Sequence, residues 1–159
     1  MHERHERRVI SVTVINESSV LSRISGLFAG RGYNIESLCV APIPDSDLSH
    51  ITLSTSGDSR VLEQILKQLH KLIPVLTVTE HSVMIAKEMA LIKFPPQTPL
   101  AEIEALARSF GGEIAAGDAK QVVLVATRSP ARIDDLIALA KRFKPKEIIR
   151  SGVLAMERS

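Results

Sequence analysis

Aromatic residues are scarce in this sequence of 159 residues: they make up 3% of it, as four Phe, one Tyr and no Trp. The core must therefore be aliphatic, and modules that stack nucleobases on a row of aromatic rings are disfavoured. The sequence has one cysteine, which excludes an internal disulfide and a thiolate metal site. No apolar run approaches the ~18 residues that a membrane-spanning helix needs.

Net charge is also small, because 20 Lys and Arg stand against 18 Asp and Glu and leave +2. The chain therefore lacks the excess of basic residues that is typical of nucleic-acid-binding proteins. Charged residues make up 24% and apolar residues 45%, which is typical of a chain that builds a globular core. The N-terminal stretch MHERHERR is charged and leads into an alternating pattern, unlike a signal peptide. We therefore expect a soluble, cytoplasmic protein that contacts neither nucleic acid nor a membrane.

The first half of the chain alternates between strand and helix signals. Residues 9–15 have the period of two of a half-buried strand, and a turn rich in helix N-cap residues follows them. Asp58 is placed to cap a second helix. Strands are also predicted over residues 34–42, 50–55 and 75–79. The apolar faces of the two helices are predicted to be Val20, Leu21, Ile24, Leu27 and Phe28, then Val61, Leu62, Ile65, Leu66 and Leu69.

The second half repeats this order of elements without convincing residue-level identity. Thr98-Pro99 and Ser129-Pro130 each give a cap followed by a proline, which is the start expected of a helix. Strands are predicted over residues 89–94, 113–116, 121–127 and 147–155. The sequence thus predicts an α+β fold of two ferredoxin-like βαββαβ units with antiparallel sheets and helices on one face. We expect the first domain over residues 8–80 and the second over residues 81–159.

The strand order usual in such a unit is 4-1-3-2, which places the second strand at an edge of the sheet. Here that strand is the largely apolar stretch Asn34 to Pro42. An exposed apolar edge is a template for pairing with another chain, and a unit this small has a thin core. We expect dimerisation through the first half, the alternative being that Pro42, Pro44 and the acidic turn after them guard the edge.

Residues of catalytic type are dispersed along the chain. The five histidines are not paired with acids at metal-ligand spacing, and Cys39 lies in an apolar strand without a neighbouring His. The sequence contains no phosphate-binding P-loop, no dinucleotide-binding glycine fingerprint and no Ser-His-Asp set. These features favour binding over catalysis.

The best candidate site is the turn Asn16, Glu17, Ser18, Ser19 between the first strand and the first helix. A helix N-terminus offers unpaired backbone N–H groups and the positive end of the helix dipole, which suit a carboxylate. Apolar residues nearby could hold an aliphatic side chain, so an α-amino acid matches the combination. The alternative interpretation is plain helix capping by Ser18.

The run Arg31-Gly32-Tyr33-Asn34-Ile35-Glu36-Ser37-Leu38 is specific. Together with several other runs, it resembles the small, regulatory subunit of acetolactate synthase (acetohydroxyacid synthase). The resemblance covers nearly the whole chain and is densest over residues 8–72. Further runs that carry it are Arg8-Val9-Ile10-Ser11-Val12, Asn16-Glu17-Ser18, Leu21-Ser22-Arg23, Gly26-Leu27-Phe28, Val40-Ala41-Pro42, residues 62–65 and 67–72, and Arg150-Ser151-Gly152.

The resemblance implies that the first half is an ACT domain, an amino-acid sensor that pairs with a second copy and holds valine at the interface. The second half would be the family's C-terminal regulatory domain. Such a subunit has no catalysis or cofactor of its own. It joins a large subunit that carries thiamine diphosphate, Mg²⁺ and usually FAD, raises the activity of that enzyme, and confers feedback inhibition by branched-chain amino acids.

The resemblance also implies which residues bind the effector. Asn16 and the backbone at Ser18 to Val20 would hold the charged end of the ligand, and Asn34 and Ile35 would come from the partner copy. The full predicted set is Asn16, Glu17, Ser18, Ser19, Val20, Asn34 and Ile35. Family members commonly have Gly-Ala where this chain has Ser19-Val20, so a narrower pocket is expected here.

Three other functions are compatible with the sequence. An ACT domain could sense an amino acid on behalf of a different enzyme. RNA-recognition domains share the βαββαβ order, but they need exposed aromatics on the central strands, where this chain has Ser11, Thr13, Thr52 and Ser54. A free-standing enzyme is the third alternative, which activity of the chain alone on pyruvate would reveal.

Overall fold

The computed structural model describes residues 7–15, 19–118 and 120–158. The chain divides into two compact units. The first is formed by Met1–Ile85 together with Val153–Ser159, and the second by Ala86–Gly152. None of the helices within the described ranges is long and apolar enough to cross a bilayer.

The first unit contains a four-stranded antiparallel sheet with two helices packed on one face. Its sheet has the order β2-β3-β1-β4, so the predicted order and the edge position of the second strand are confirmed. Its elements are β1 (Arg8–Ile15), α1 (Val20–Ala29), β2 (Asn34–Pro42), β3 (Leu48–Ser56), α2 (Ser59–Lys71) and β4 (Val75–Glu80).

The core of the first unit is aliphatic, as the composition predicts. Alternate residues of β1 turn toward the helices, and each helix contributes one buried stripe. The main buried side chains are Ile10, Val12, Val14, Val20, Ile24, Phe28, Leu62, Ile65 and Leu69. The prediction for Leu21 is wrong, since this side chain is 37% exposed. It lies one position off the i, i+4 stripe formed by Val20, Ile24 and Phe28, and α1 is buried only along that stripe.

The predicted helix ends are also found. The backbone N–H of Arg60 donates to Oδ1 of Asp58 at 2.8 Å, so Asp58 caps α2. After α1, Gly32 adopts φ 65°, a left-handed conformation that favours glycine. The next residue returns its N–H to the carbonyl of Phe28 at 3.0 Å and starts the path to β2.

The second unit repeats the architecture with a sheet of order β6-β7-β5-β8. Its elements are β5 (Met84–Phe94), α3 (Leu100–Ser109), β6 (Glu113–Gly117), β7 (Val122–Arg128), α4 (Pro130–Ala140), a 3₁₀ turn (Lys141–Phe143) and β8 (Glu147–Arg150). Its core is built from Ile92, Phe94, Ile103, Leu124, Ile133 and Leu136, all fully buried.

The last strand differs from the prediction of one strand over residues 147–155. The chain instead forms β8 and then β9 (Leu154–Glu157), with Gly152 at φ 88° between them. β9 pairs with β5, which begins at Met84 rather than at Met89. A break of this kind leaves the alternating pattern on both sides intact, so sequence periodicity does not reveal it.

A hydrogen-bonded ion-pair network and a close approach of a glycine to a strand are two specific packing features of the second unit. Arg150 on β8 donates from Nε and Nη2 to the two carboxylate oxygens of Glu88 at 2.7 and 2.9 Å, and from Nη1 to Asp134 on α4 at 2.6 Å. The hydrogen bonds with Glu88 raise the pKa of the Arg150 guanidinium.

Gly112 lies so close to β7 that a Cβ atom there would be 2.5 Å from the carbonyl oxygen of Val125.

Candidate functional site

The predicted effector site begins in the connection between β1 and α1. Asn16, Glu17 and Ser18 lie outside the described residues. Ser19 is exposed at the start of α1, and its carbonyl accepts the N–H of Arg23 at 3.1 Å. Within the described part of the chain, the Ser19 side chain makes no capping hydrogen bond.

The side chain of Val20 lies in the core and does not line a surface pocket. Its side chain is 2% exposed and packs in the core with Ile24 and Phe28. Its two methyl groups therefore fill the core, and what this position can offer a ligand is backbone.

Asn34 and Ile35 begin β2. Asn34 is exposed, and its carbonyl accepts the hydroxyl of Thr55 at 2.6 Å. Ile35 is half-buried and packs against the core of the first unit. The pairing of β2 with β3 shifts register between Ile35 and Ser37, which makes this end of the edge strand irregular.

Strand register places the two parts of the predicted site at opposite ends of the sheet. Ile15, the last residue before the β1–α1 connection, pairs with Leu48 at the start of β3, whereas Asn34 pairs with Ser56 at its end. Eight residue steps along β3 separate these positions by about 26 Å. One chain therefore does not bring Ser19 and Asn34 together.

The other end of β2 lies at the same end of the sheet as the β1–α1 connection, because Pro42 and Val14 both pair with Ser49. Along this strand Val40 is 48% exposed, and Ala41 and Pro42 are exposed as well. In the part of the chain that the structure describes, no strand pairs with the outer edge of β2. This edge is an open pairing surface.

Charge at this edge is already compensated. Nε of Arg7 donates to Glu36 at 2.8 Å, and both side chains are partly exposed. A hydrogen bond from the Ser56 hydroxyl lowers the pKa of Glu36, and the hydrogen bond from Arg7 adds to the effect. The edge therefore carries an ion pair rather than the unpaired charge that commonly blocks strand pairing.

The sheet face opposite the helices is polar and covered. Ser11, Thr52 and Ser54 are each no more than 6% exposed, and His81 hydrogen-bonds Ser11 at 2.6 Å between Nε2 and Oγ. β1 and β3 carry no Phe, Tyr or Trp on this face, and Ser11, Thr52 and Ser54 are buried, which argues against the RNA-binding alternative.

Acidification should weaken the first unit through His50, which faces this polar layer. Burial lowers the pKa of His50, and the nearby His81 lowers it further. The folded state therefore disfavours the charged imidazole. Stability contributed by neutral His50 is present above its unfolded pKa, about 6.5, and falls as the pH drops below that value.

Urea unfolding at pH 7.5 and 5.5 measures this dependence. We expect a lower midpoint at pH 5.5 for the unaltered chain and a smaller difference for His50→Gln. His70→Gln, at the exposed end of α2, serves as the control and should keep the full difference. An equal pH dependence in all three proteins contradicts the assignment.

A shallow depression on the open face of the second sheet is not predicted by the sequence. It has a volume of about 240 Å³ and is lined by Leu91, Lys93, Gln121, Val123, Glu147 and Ile149. Nζ of Lys93 and Oε2 of Glu147 form an ion pair at 3.2 Å on its rim. The only signal in the sequence is the alternation of β5 and β7, which does not specify which strands are neighbours. Among the described residues, no three His, Cys, Asp or Glu side chains converge to hold a metal ion.

Two family models together match almost the whole chain. One, described as the AHAS small subunit-like ACT domain, matches residues 10–77, and the other, described as the small subunit of acetolactate synthase, matches residues 87–159. The acetolactate synthase isozyme 3 small subunit of Escherichia coli is 40% identical over 156 residues, which cover 96% of both chains. The chain belongs to the acetolactate synthase small-subunit family.

Other relatives agree with this membership. The acetolactate synthase small subunit of Haemophilus influenzae is also 40% identical over 156 residues, or 96% of both chains. The crystal structure of the small subunit from Thermotoga maritima superposes with a TM-score of 0.87 at 31% identity, over 97% of this chain and 98% of that one. The predicted family, the ACT domain in the first half and the ferredoxin-like fold are therefore confirmed.

Proposed function

We propose that this chain is the regulatory subunit of an acetolactate synthase: it binds the catalytic large subunit, raises its activity and makes it sensitive to a branched-chain amino acid, valine being the first candidate. Family membership along the whole chain carries this proposal. The small-subunit names of the relatives imply a large catalytic partner.

A homodimer paired through β2 accounts for the divided effector site. If the β2 strands of two copies pair antiparallel, the Asn34 end of one lies beside the Pro42 end of the other. The Pro42 end shares its end of the sheet with the β1–α1 connection. Such a pair therefore brings Asn34 and Ile35 of one copy toward Ser19 of the other, and each effector would lie between two copies.

The chemistry of this location suits an aliphatic α-amino acid. Backbone N–H groups at the N-terminus of α1 and the positive end of its dipole favour a carboxylate. Because the Val20 side chain is in the core, its backbone remains for this role. The Ser19 hydroxyl makes no capping hydrogen bond among the described residues, so it can donate to the ligand.

Regulation then follows from linkage between the effector and the dimer. A ligand held by two copies favours the arrangement in which both parts of its site meet. It shifts the holoenzyme only by its differential affinity for the two arrangements, typically ~1–3 kcal/mol. Thiamine diphosphate, Mg²⁺ and FAD belong on the large subunit in this proposal, and this chain contributes no catalytic group.

Reconstitution with a large subunit tests the function directly. We expect no acetolactate from pyruvate with this chain alone, a higher rate when it is added to the large subunit, and inhibition of the mixture by valine. Isothermal titration of the chain with valine, leucine and isoleucine identifies the effector.

Each result bears on a different part of the proposal. A large subunit whose rate does not respond to the chain contradicts the regulatory role, and activity of the isolated chain favours the free-standing enzyme. Titration heat without any effect on acetolactate synthesis supports the remaining alternative, an ACT sensor for another enzyme.

A further inference from the structure

Part of the first unit is a two-stranded ribbon made by the start of β5 and by β9. The backbone N–H of Arg158 donates to the carbonyl of Val83 at 3.0 Å. In an antiparallel pair this register puts Met156 opposite Ile85, and residues directly opposite share one face. Because side chains alternate along a strand, Val83, Ile85, Leu154 and Met156 lie together on that face, which we call the ribbon face.

The ribbon face is an exposed apolar cluster on the first unit. Its four side chains are 59%, 51%, 58% and 72% exposed, in the order Val83, Ile85, Leu154, Met156. Together they present on the order of 400 Å² of apolar surface, a size at which patches on monomers are often functional.

The opposite side of the ribbon packs on the first unit. Val153, just before β9, is 2% exposed and donates its N–H to the Ser37 hydroxyl on β2 at 3.4 Å. Ala155, which alternates with Leu154 and Met156, is half-buried. The ribbon therefore lies on the sheet, and the ribbon face is directed away from it.

A second copy bound through β2 leaves the ribbon face open. Antiparallel pairing of two β2 strands extends the sheet sideways about a twofold axis perpendicular to it. Both ribbon faces then point to the same side of the extended sheet. Together they present about 800 Å², which is the area that one partner contributes to a standard stable interface.

Charge also disfavours a contact between two ribbon faces. Arg158 lies on the same side of β9 as Met156, it is exposed, and it has no ion pair within the described residues. A twofold contact between two ribbon faces would use the same patch on both copies, and none of its four side chains is a carboxylate that could pair with Arg158. A different protein with an apolar surface bordered by carboxylates would supply that partner.

We propose that the ribbon face is the surface on which the large catalytic subunit docks, through an apolar area edged by acidic side chains. This inference rests on the proposed function, since it names the surface that joins the two subunits. It assigns β5 and β9 to contact with the enzyme and β2 to contact between copies.

Paired substitutions on exposed positions test the proposal. Leu154→Glu combined with Met156→Glu puts two carboxylates on the ribbon face. Leu139→Glu combined with Ile73→Glu, at positions 48% and 92% exposed elsewhere, adds the same charge as a control. Each protein is titrated onto purified large subunit, its mass is measured by light scattering, and its valine affinity by calorimetry.

The ribbon variant should bind the large subunit roughly tenfold more weakly, as expected when central interface side chains are replaced by charge. Its mass and valine affinity should equal those of the control. Arg158→Glu alone should weaken binding too, and the binding of this variant should depend less on salt. This single change keeps the test decisive if the double variant fails to fold.

Three outcomes overturn the inference. Unchanged affinity of both ribbon variants excludes this face as the docking surface. A fall in mass from dimer to monomer with unchanged affinity assigns the face to a second copy. If the unaltered chain itself does not bind the large subunit, the proposed function fails first and this inference with it.

Discussion

Arg150→Met is expected to destabilise the second unit by about 3–5 kcal/mol. The side chain of Glu88 is 6% exposed, and its carboxylate receives both of its ion-pair hydrogen bonds from Arg150. Removing the guanidinium leaves a buried charge without its partner, which costs far more than the net value of the pair. The same change also releases Asp134 on α4 from β8.

Denaturant unfolding measures this loss of stability. Hydrogen exchange of the β5 and β8 amides shows whether the loss occurs in the second unit. Arg7→Met provides the matched control, because its partner Glu36 is 29% exposed and exposed pairs contribute about 0–1 kcal/mol. The double variant Arg150→Met with Glu88→Leu should recover most of the stability. A loss below about 1 kcal/mol for Arg150→Met contradicts the assignment of Glu88 as a buried charge that depends on one partner.

Gly112→Ala is expected to destabilise the second unit by about 3 kcal/mol, at the upper end of typical overpacking costs. The added methyl would lie 2.5 Å from the carbonyl oxygen of Val125 and 3.0 Å from Cβ of Ala126. Val125 pairs with Leu91 on one side and Glu113 on the other, so β7 cannot move aside without disturbing both neighbouring strands.

Thermal unfolding measures the effect, with a decrease in Tm of roughly 10 °C or more expected for a unit of this size. Gly117→Ala is the control in the same unit, because its Cβ would be at an ordinary 3.6 Å from Ile114. That control should stay within about 0.5 kcal/mol of the unaltered chain. Equal Tm values for the two variants would contradict the prediction, because they would show that β7 moves to accommodate the added methyl group.

Local signals made much of the fold predictable. The alternation of β1 and the cap at Asp58 depend on residues close in sequence, and both are found. The edge position of β2 follows from the strand order usual in a βαββαβ unit, and it is found as well. What the sequence did not reveal depends on distant pairing. The break at Gly152 is compatible with one continuous alternation, and the close approach of Gly112 to β7 depends on how α3 lies on the sheet.

For the candidate site, the sequence predicts a set of residues but not their geometry. The resemblance named Ser19, Val20, Asn34 and Ile35, yet only strand register shows that Asn34 is separated from Ser19 by the length of β3. The buried side chain of Val20 also follows from its place on the i, i+4 stripe of α1, a consequence of helix phase. A residue's presence in a motif does not state which of its atoms face a ligand.

The chain returns to the first unit after Gly152. In sequence, Ala86–Gly152 is therefore inserted within the first unit and does not simply follow it as a second domain. Its two junctions lie on neighbouring hydrogen-bonded strands, β5 and β9. Because Met156 lies opposite Ile85, excising the insertion and joining Ile85 to Val153 makes residues 153–155 a short hairpin loop of ordinary length and leaves the rest of β9 paired. Simple truncation after residue 85 would instead remove β9 and Val153 and expose the polar layer around Ser37. An isolated sensor domain from this chain should accordingly be made by loop excision, which retains its own C-terminal strand.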